Sequence, residues 1–216
     1  MAELILVRHG QANSHATDEA SYDKLSELGH TQARWLGEHM RTTNPHFDHV
    51  ITGTLRRQKE TAAGMGYADT RVDARLDELQ YFAMAAALEA EHGIATPQDP
   101  TEFANHLPKM IGYWATNKVK TAPETFADFH ARTTGLVHEV CEGHGRVLLV
   151  TSGGVIGTIL RHVLNLSDEG MAKIMLQVMN SSLHRLEYVH GQLYLGSFNA
   201  TPHLDIPGRE HARTFV

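Results

Sequence analysis

Two short loops carry the residue types from which an anion-binding catalytic site can be built. Each loop follows an apolar run, and the two are Arg8-His9-Gly10-Gln11 and Thr151-Ser152-Gly153-Gly154. An arginine donates two parallel hydrogen bonds to a phosphate, and a neighbouring histidine can act as nucleophile, base or ligand. A glycine-rich helix start binds anions through unpaired backbone N–H groups. Either loop alone is also typical of a solvated strand end or a tight turn, but together they favour an anion site.

Two predicted strands position these loops. Glu3–Val7 is predicted as a short buried strand, and the branched apolar run Arg146–Val150 is typical of a central parallel strand that is buried on both faces. In open α/β sheets, ligands bind at the carboxyl ends of the strands. We therefore expect both loops to lie at the same edge of one sheet.

The remaining elements alternate between helices and strands. Helices are predicted from a Ser26 cap to Arg41, over Leu55–Ala63, over Thr125–Glu142 and over Gly154–Leu164. Strands are predicted at His49–Thr52 and Arg71–Asp73, and an edge hairpin at Leu183–Val189 and Gln192–Phe198. This alternation predicts an α/β fold, a three-layer αβα sandwich with a mostly parallel central sheet, in a single domain over residues 1–216.

The segment from Gln80 to Pro123 differs in composition from the rest. It is rich in Ala and Met, carries Pro97, Pro100 and Pro108, and lacks strand-like alternation. We interpret it as a helical insertion over the active-site end of the core. With the polar loop from Ala12 to Asp23, it would wall the mouth of the pocket as a partly apolar lid and set the selectivity for substrate.

Composition excludes several classes of function. The chain has 216 residues and a formal charge of −6, which argues against a nucleic-acid partner. It has no apolar stretch long enough for a membrane span and only one cysteine, Cys141, so we expect a cytoplasmic protein without disulfides. Its sixteen histidines show none of the ligand spacings of a zinc site, and no metal site is predicted.

Four segments resemble the histidine phosphatase superfamily, the phosphoglycerate-mutase-like proteins. They are Leu6-Val7-Arg8-His9-Gly10-Gln11, Leu25-Ser26-Glu27-Leu28-Gly29 with Gln32-Ala33, Thr54-Leu55-Arg56-Arg57 with Glu60-Thr61-Ala62, and Arg75-Leu76-Asp77-Glu78. Their spacing also fits, and the likeness spans nearly the whole chain outside the Gln80 to Pro123 segment.

The resemblance implies a role for each candidate residue. His9 would attack phosphorus and become phosphohistidine, while Arg8 grips the phosphoryl oxygens. Arg56 and Arg57 could both lie on a solvated helix face, but the family's second pocket arginine aligns with Arg57. Glu78 would protonate the leaving oxygen. Such phosphoryl transfer needs no cofactor, because positioning and fixed donors supply most of the catalysis.

One position departs from the family pattern. A second histidine is normally found where this chain has Ser152, next to Gly153 in the glycine-rich loop. Loss of one such donor typically costs ~10²–10³ in rate, so weakened or specialised activity is expected unless His15 or His184 substitutes. Gln11 and Gly153 are further predicted substrate contacts, and the family asparagine corresponds to Asn13 or to its neighbour Ser14.

Three hypotheses follow for a small phosphorylated substrate. A phosphatase is preferred to a mutase, because Asp77-Glu78-Leu79-Gln80-Tyr81 does not match the longer mutase sequence around the glutamate. A degenerate module that binds phosphorylated ligands is supported by Ser152 and opposed by the retained His9 and Glu78. A metal-dependent hydrolase is disfavoured.

The edge hairpin is one place where a dimer could form.

Overall fold

The computed structural model describes residues 2–13, 16–43, 46–143 and 145–215. Within these ranges, one sheet contains the strands β1 (Ala2–Arg8), β2 (His49–Thr52), β3 (Arg71–Val72), β4 (Gly145–Thr151), β5 (Leu183–Val189) and β6 (Gln192–Ala200). The strand order is β3-β2-β4-β1-β5-β6. The first four strands in that order are parallel, and β5 and β6 are antiparallel to their neighbours. The prediction of a mostly parallel sheet is therefore confirmed.

Helices cover both faces of this sheet. The described helices are α1 (Glu19–Tyr22), α2 (Glu27–Thr43), α3 (Arg56–Gly64), α4 (Tyr81–His92), α5 (Pro100–Ala115), α6 (Phe126–Glu142), α7 (Gly153–Leu164) and α8 (Asp168–Gln177). The predicted elements lie within two residues of these bounds. Ser26 caps α2 as expected, because its hydroxyl oxygen accepts the Gly29 N–H at 3.0 Å.

Two helices were absent from the sequence prediction. The short α1 is capped by Asp18, whose carboxylate accepts the Ser21 N–H at 2.7 Å. Helix α8 is capped by Ser167, whose hydroxyl oxygen accepts the Gly170 N–H at 3.1 Å. Only two residues of α8 are fully buried, so the helix lacks the wide apolar stripe on which periodicity analysis depends.

Alternate residues of β1 enter two separate cores. Ile5 and Val7 pack with buried residues of α2 and α3, including Leu36. Leu4 and Leu6 pack into the larger core on the opposite face, with residues of α4 to α8. Because successive side chains of a strand point to opposite faces, this division confirms the three-layer αβα arrangement.

The insertion between Gln80 and Pro123 is helical, as predicted, and contains α4 and α5. Met84, Leu88, Met110 and Trp114 are buried in the same core as α6 and α7. These helices are therefore anchored to the sheet rather than lying loosely above it. No described helix combines the length and the hydropathy required to cross a membrane.

The register of β1 and β4 brings the two loops together. Arg8 is paired with Thr151, and the N–H of His9 donates to the Thr151 carbonyl oxygen at 2.9 Å. The loops that follow both strands therefore leave the sheet side by side. On the other side of β4, Thr52 at the end of β2 is paired with Val150, which places the start of α3 at the same edge.

The start of α2 packs directly against the first loop. A Cβ on Gly29 would lie 2.1 Å from the carbonyl oxygen of Gln11, and a Cβ on Gly10 would lie 2.5 Å from the carbonyl oxygen of Gly29. Real Cβ atoms do not approach backbone oxygen so closely. These two glycines therefore allow α2 to press on the loop that carries His9.

The contact between α2 and this loop can be tested with a matched pair of glycine variants. Gly29→Ala should lower the free energy of unfolding by about 1–3 kcal/mol, because backbone must shift to admit the methyl group. Gly135→Ala should raise it by about 0.5–1 kcal/mol, because that exposed α6 position has open space around it. Urea denaturation measures both changes, and equal effects would contradict the close packing.

Candidate active site

His9 directly follows β1 and is only 2% exposed. Its Nδ1 lies 2.7 Å from the carbonyl oxygen of Gly10. Since a carbonyl oxygen only accepts, we assign the proton to Nδ1, which leaves a lone pair on Nε2. Burial, then the charges of Arg57 and Arg8, hold the pKa of His9 well below its ordinary value. The ring is therefore neutral at neutral pH, in the form that a nucleophilic imidazole needs.

Arg8 lies at the end of β1. One nitrogen of its guanidinium group donates hydrogen bonds to backbone carbonyl groups, and another has no partner. Its Nη1 donates to the carbonyl oxygens of Val178 and Phe215. Its Nε is buried and has no hydrogen-bond partner in the described part of the chain. A Cβ placed on Gly153 would lie 3.8 Å from this Nε. A buried, unpaired cationic donor beside the glycine-rich loop is suited to an anionic ligand.

Arg57 in α3, rather than Arg56, reaches His9. The Arg57 Nε donates to the Nε2 of His9 at 3.3 Å, and its side chain is 3% exposed. Arg56 is largely exposed and pairs with Glu60. This geometry agrees with the alignment of Arg57 to the second arginine of the family pocket.

Asp23 and Tyr22 hold Arg57 in place. The Asp23 carboxylate pairs with Arg57 Nη1 at 3.0 Å and accepts the backbone N–H groups of Arg56 and Arg57 at the start of α3. The Arg57 guanidinium lies 5.0 Å from the centre of the Tyr22 ring. The rings of Tyr22 and His9 are nearly perpendicular to each other, with 6.4 Å between their centres. Tyr22 at the end of α1 and the adjacent Asp23 therefore contact His9 or Arg57.

Glu78 lies at the N-terminus of α7. Its Oε2 accepts the Gly154 N–H at 2.8 Å, and its Oε1 accepts the Leu79 N–H at 2.9 Å. A Cβ on Gly154 would lie 2.2 Å from Oε1, so this close approach requires glycine. Helix starts favour carboxylates in this position.

Ser152 has a structural contact that the sequence did not suggest. It is fully buried, and its Oγ accepts a hydrogen bond from Gln58 Nε2 at 2.9 Å. The same Gln58 nitrogen donates to the carbonyl oxygen of Leu76. Ser152 therefore connects the start of α7 to α3 and to the backbone just before Glu78, and its predicted contact with substrate stays a prediction.

A cavity of about 350 Å³ opens over these residues. Its inner end is lined by Arg8, Arg57, Glu78, Gly153 and Gly154. His9 and Ser152 are not on the cavity wall; the His9 ring lies behind Tyr22 and Arg57. A substrate phosphate at the inner end therefore requires a rearrangement of the Tyr22 and Arg57 side chains before it reaches Nε2.

The other predicted contacts are divided between the cavity and the interior. Asn13 lines the cavity, and its side chain donates to the Ser21 carbonyl oxygen at 2.9 Å. The Gln11 side chain instead accepts from the Ser26 hydroxyl at 2.8 Å, and Gln11 does not line the cavity.

The two histidines considered as replacements for Ser152 are not equivalent. Both ring nitrogens of His184 have partners, since Nε2 lies 3.0 Å from the Ser182 hydroxyl and Nδ1 accepts the Asn199 N–H. Burial, with Arg8, lowers the pKa of His184 to about 3. A neutral, fully engaged ring is poorly suited to replace a phosphate ligand. His15, like Ser14, lies outside the described residues.

Tyr22, Asp23 and Gln58 were not identified from the sequence. Tyr22 ends the four-residue helix α1 and Asp23 follows it, and so short a helix shows no periodicity. Gln58 belongs to the same helical turn as two more conspicuous arginines. One weak signal was available, because Leu55 at the start of α3 provides no side-chain cap. A missing cap implies that a residue from elsewhere satisfies the free N–H groups.

The fold and the site together define an α/β protein with a cavity at the carboxyl ends of its parallel strands, and two arginines of that cavity are suited to bind an anion. Residues 4–201 match the family model described as histidine phosphatase superfamily, branch 1. The chain therefore belongs to this superfamily, and the predicted class of enzyme, a phosphatase of the phosphoglycerate-mutase-like group, is confirmed at that level.

Individual relatives agree with this assignment. A broad-specificity phosphatase of Saccharomyces cerevisiae is 26% identical over 194 residues, which cover 86% of this chain and 79% of that protein. A mycobacterial glucosyl-3-phosphoglycerate phosphatase superposes with a TM-score of 0.65 at 25% identity, covering 93% of this chain and 100% of that chain.

A more distant structure shows the fold alone. A phosphoserine phosphatase variant of Entamoeba histolytica, crystallised with phosphoserine, has a TM-score of 0.68 at 19% identity. That match covers 94% of this chain and 100% of the other chain.

The ion pair between Asp23 and Arg57 leads to a prediction about anion affinity. Asp23→Asn should tighten the binding of inorganic phosphate about fivefold, because one carboxylate near the arginine is removed while the amide oxygen still caps α3. Isothermal titration calorimetry measures the change. Asp168→Asn, which breaks the remote pair with Arg161, should leave the affinity unchanged. Weaker binding in Asp23→Asn would show that Asp23 is needed to position Arg57.

Proposed function

We propose that this protein hydrolyses phosphomonoesters through a phosphohistidine intermediate on His9, without a cofactor. The observation that carries the proposal is the state of the His9 ring. Its Nδ1–H is held by the Gly10 carbonyl, its pKa is lowered by burial and by two arginines, and its unprotonated Nε2 accepts the Nε–H of Arg57. A pure binding site for phosphate gains nothing from a neutral imidazole prepared in this way.

In the first step, Nε2 of His9 attacks phosphorus in line with the ester oxygen. The Arg57 Nε–H donates to His9 Nε2. During the attack it donates to a phosphoryl oxygen instead. Arg8 donates to the same group through its unpaired Nε. The N–P bond forms as the P–O bond breaks, and the protonated Glu78 carboxyl gives its proton to the leaving oxygen.

In the second step, water attacks the phosphorus of phospho-His9. The Glu78 carboxylate takes a proton from that water, and the electron pair of the breaking N–P bond returns to Nε2. Inorganic phosphate leaves, and His9 and Glu78 regain their starting forms. Glu78 is held by the Gly154 and Leu79 N–H groups, so the same carboxyl group can serve both steps.

A second candidate function, binding of phosphorylated ligands without turnover, is favoured by one observation. Ser152 carries no charge and is hydrogen bonded to Gln58, so Arg8 and Arg57 are the cations among the described residues that line the cavity. Activity is therefore expected to be weaker than in a site with an additional imidazolium. Transfer of the phosphoryl group back to the product, as in a mutase, would use the same residues and would be recognised by its product.

The proposed nucleophile is tested by comparing His9→Ala with the unchanged protein on p-nitrophenyl phosphate, without added metal. The variant should lose about 10³-fold or more of its turnover, because no other group replaces the nucleophile. His138→Ala, at an exposed α6 position, should retain full activity. Equal rates for the His9 variant would overturn the mechanism, and rapid quenching at alkaline pH should trap phosphohistidine only when His9 is present.

The role of Glu78 predicts a dependence on the leaving group. Glu78→Gln should lower kcat/KM for n-butyl phosphate ~10²–10⁴-fold, because an alkoxide needs a proton as it leaves. The loss on p-nitrophenyl phosphate should be much smaller, because p-nitrophenolate leaves without one. The glutamine can still accept the Gly154 N–H, and Glu169→Gln serves as an exposed control. Equal losses on both substrates would indicate a structural role for Glu78 instead.

A further inference from the structure

We infer that the alcohol part of the substrate is uncharged and largely apolar, a long alkyl or aryl group without a second anionic substituent. This inference rests on the proposed phosphatase function and adds the substrate class to it. It is carried by two properties of the cavity beyond its phosphate end: a continuous aromatic and aliphatic wall, and a distribution of charge that opposes a second anion.

A chain of aromatic rings leads from the nucleophile along the cavity. Tyr22 stands next to His9, and the ring centres of Tyr22 and Phe82 are 6.4 Å apart. From Phe82 the chain continues to Tyr81 at 5.7 Å and from Tyr81 to Phe103 at 5.3 Å. All four aromatic residues line the cavity. A leaving group extending away from the phosphate end would therefore lie against these rings along its length.

Other residues of the cavity wall are aliphatic. Leu107 of α5 and Met175 and Leu176 of α8 line it together with Pro97 and Pro100. A cavity of about 350 Å³ is within the size range of sites that enclose organic ligands. Its volume is more than a phosphate alone would occupy, so the apolar part is available to the alcohol.

The charges along the cavity wall are strongly asymmetric. Among the described residues that line it, Arg8 and Arg57 are the cations, and both belong to the phosphate end. Apart from Glu78, the carboxylic acids on the wall are Glu19, which is near enough to Arg57 for their charges to interact, and Asp99. Glu19 accepts the Phe82 N–H at 2.8 Å, and Asp99 accepts the N–H groups of Thr101 and Glu102 at the start of α5.

These acidic residues are committed to backbone partners rather than to a ligand. Burial raises the pKa of Glu19, in keeping with its apolar surroundings. Among the described lining residues away from Arg8 and Arg57, a carboxylate on the substrate would find no cation, and Asp99 would repel it. Phosphoglycerates carry such a carboxylate, whereas alkyl phosphates do not.

The experiment compares phosphomonoesters of primary alcohols, so that the leaving oxygen stays similar. The series is ethyl, n-butyl, n-hexyl and n-octyl phosphate, with 3-phosphoglycerate as the counterpart that carries a carboxylate. Each added methylene should raise kcat/KM about two- to fourfold until the cavity is filled. 3-Phosphoglycerate should react at least about tenfold more slowly than n-butyl phosphate.

Two variants connect this preference to the cavity wall. Phe103→Ala should flatten the chain-length series, while Phe47→Ala, which removes a partly buried ring packed on the other face of the sheet, should leave it intact. Gln98→Lys adds a cation at an exposed position of the wall. It should raise the rate on 3-phosphoglycerate relative to n-butyl phosphate severalfold.

The outcomes separate this inference from the proposed function. Hydrolysis of every ester without a chain-length trend would overturn the substrate class and leave the phosphatase function standing. Tight binding of n-octyl phosphate, measured by calorimetry and weakened in Phe103→Ala, but without turnover would support the apolar site and overturn the phosphatase function. A chain-length series unchanged in Phe103→Ala would also overturn the inference, because the preference would then arise elsewhere.

Discussion

Burial of positive charge at the end of β1 is the constraint on which the rest of the site depends. Arg8 and Arg57 are almost fully enclosed next to His9, and desolvation of cations is costly unless donors find acceptors. Asp23 supplies a countercharge to Arg57, and two backbone carbonyl groups hold one end of Arg8. The same two charges, added to burial, keep His9 neutral. The Nε of Arg8 has no acceptor among the described residues, and in the proposed mechanism a phosphate oxygen supplies one.

Ser152 is consistent with the same electrostatic constraint. The serine accepts a hydrogen bond from Gln58, which also ties α3 to the backbone preceding Glu78. It therefore links the elements that carry Arg57 and Glu78 without adding a third positive charge beside the two buried arginines.

The helical insertion is joined to the segment that covers His9. Helices α4 and α5 are anchored in the main core by large buried side chains, so the aromatic rings that they present to the cavity are held by a rigid support. Glu19 joins this wall to α1 by accepting the N–H of Phe82. Helix α1, which brings Tyr22 next to His9, and the aromatic wall of the cavity are thus parts of one connected surface.

Local sequence by itself determined the elements and the family. Apolar runs, caps and glycine positions located the strands and most helices to within two residues, because their causes are short-range. The Arg8-His9-Gly10 motif, together with Arg57 and Glu78, determined the family, which was confirmed over residues 4–201. Helix α8 was missed because its buried stripe is narrow, and the dimer considered at the edge hairpin stays a prediction.

Only the tertiary structure decided which groups touch. The pairing of β1 with β4 placed the two loops together, and no local pattern shows that Asp23 caps α3 or that Gln58 reaches Ser152. These contacts join residues 33 or more positions apart, and they depend on how helices pack across a sheet. The protonated nitrogen of His9 was likewise decided by a backbone carbonyl whose direction is set by the folded loop. Residue types specify what a site can do, whereas packing specifies which of those side chains meet.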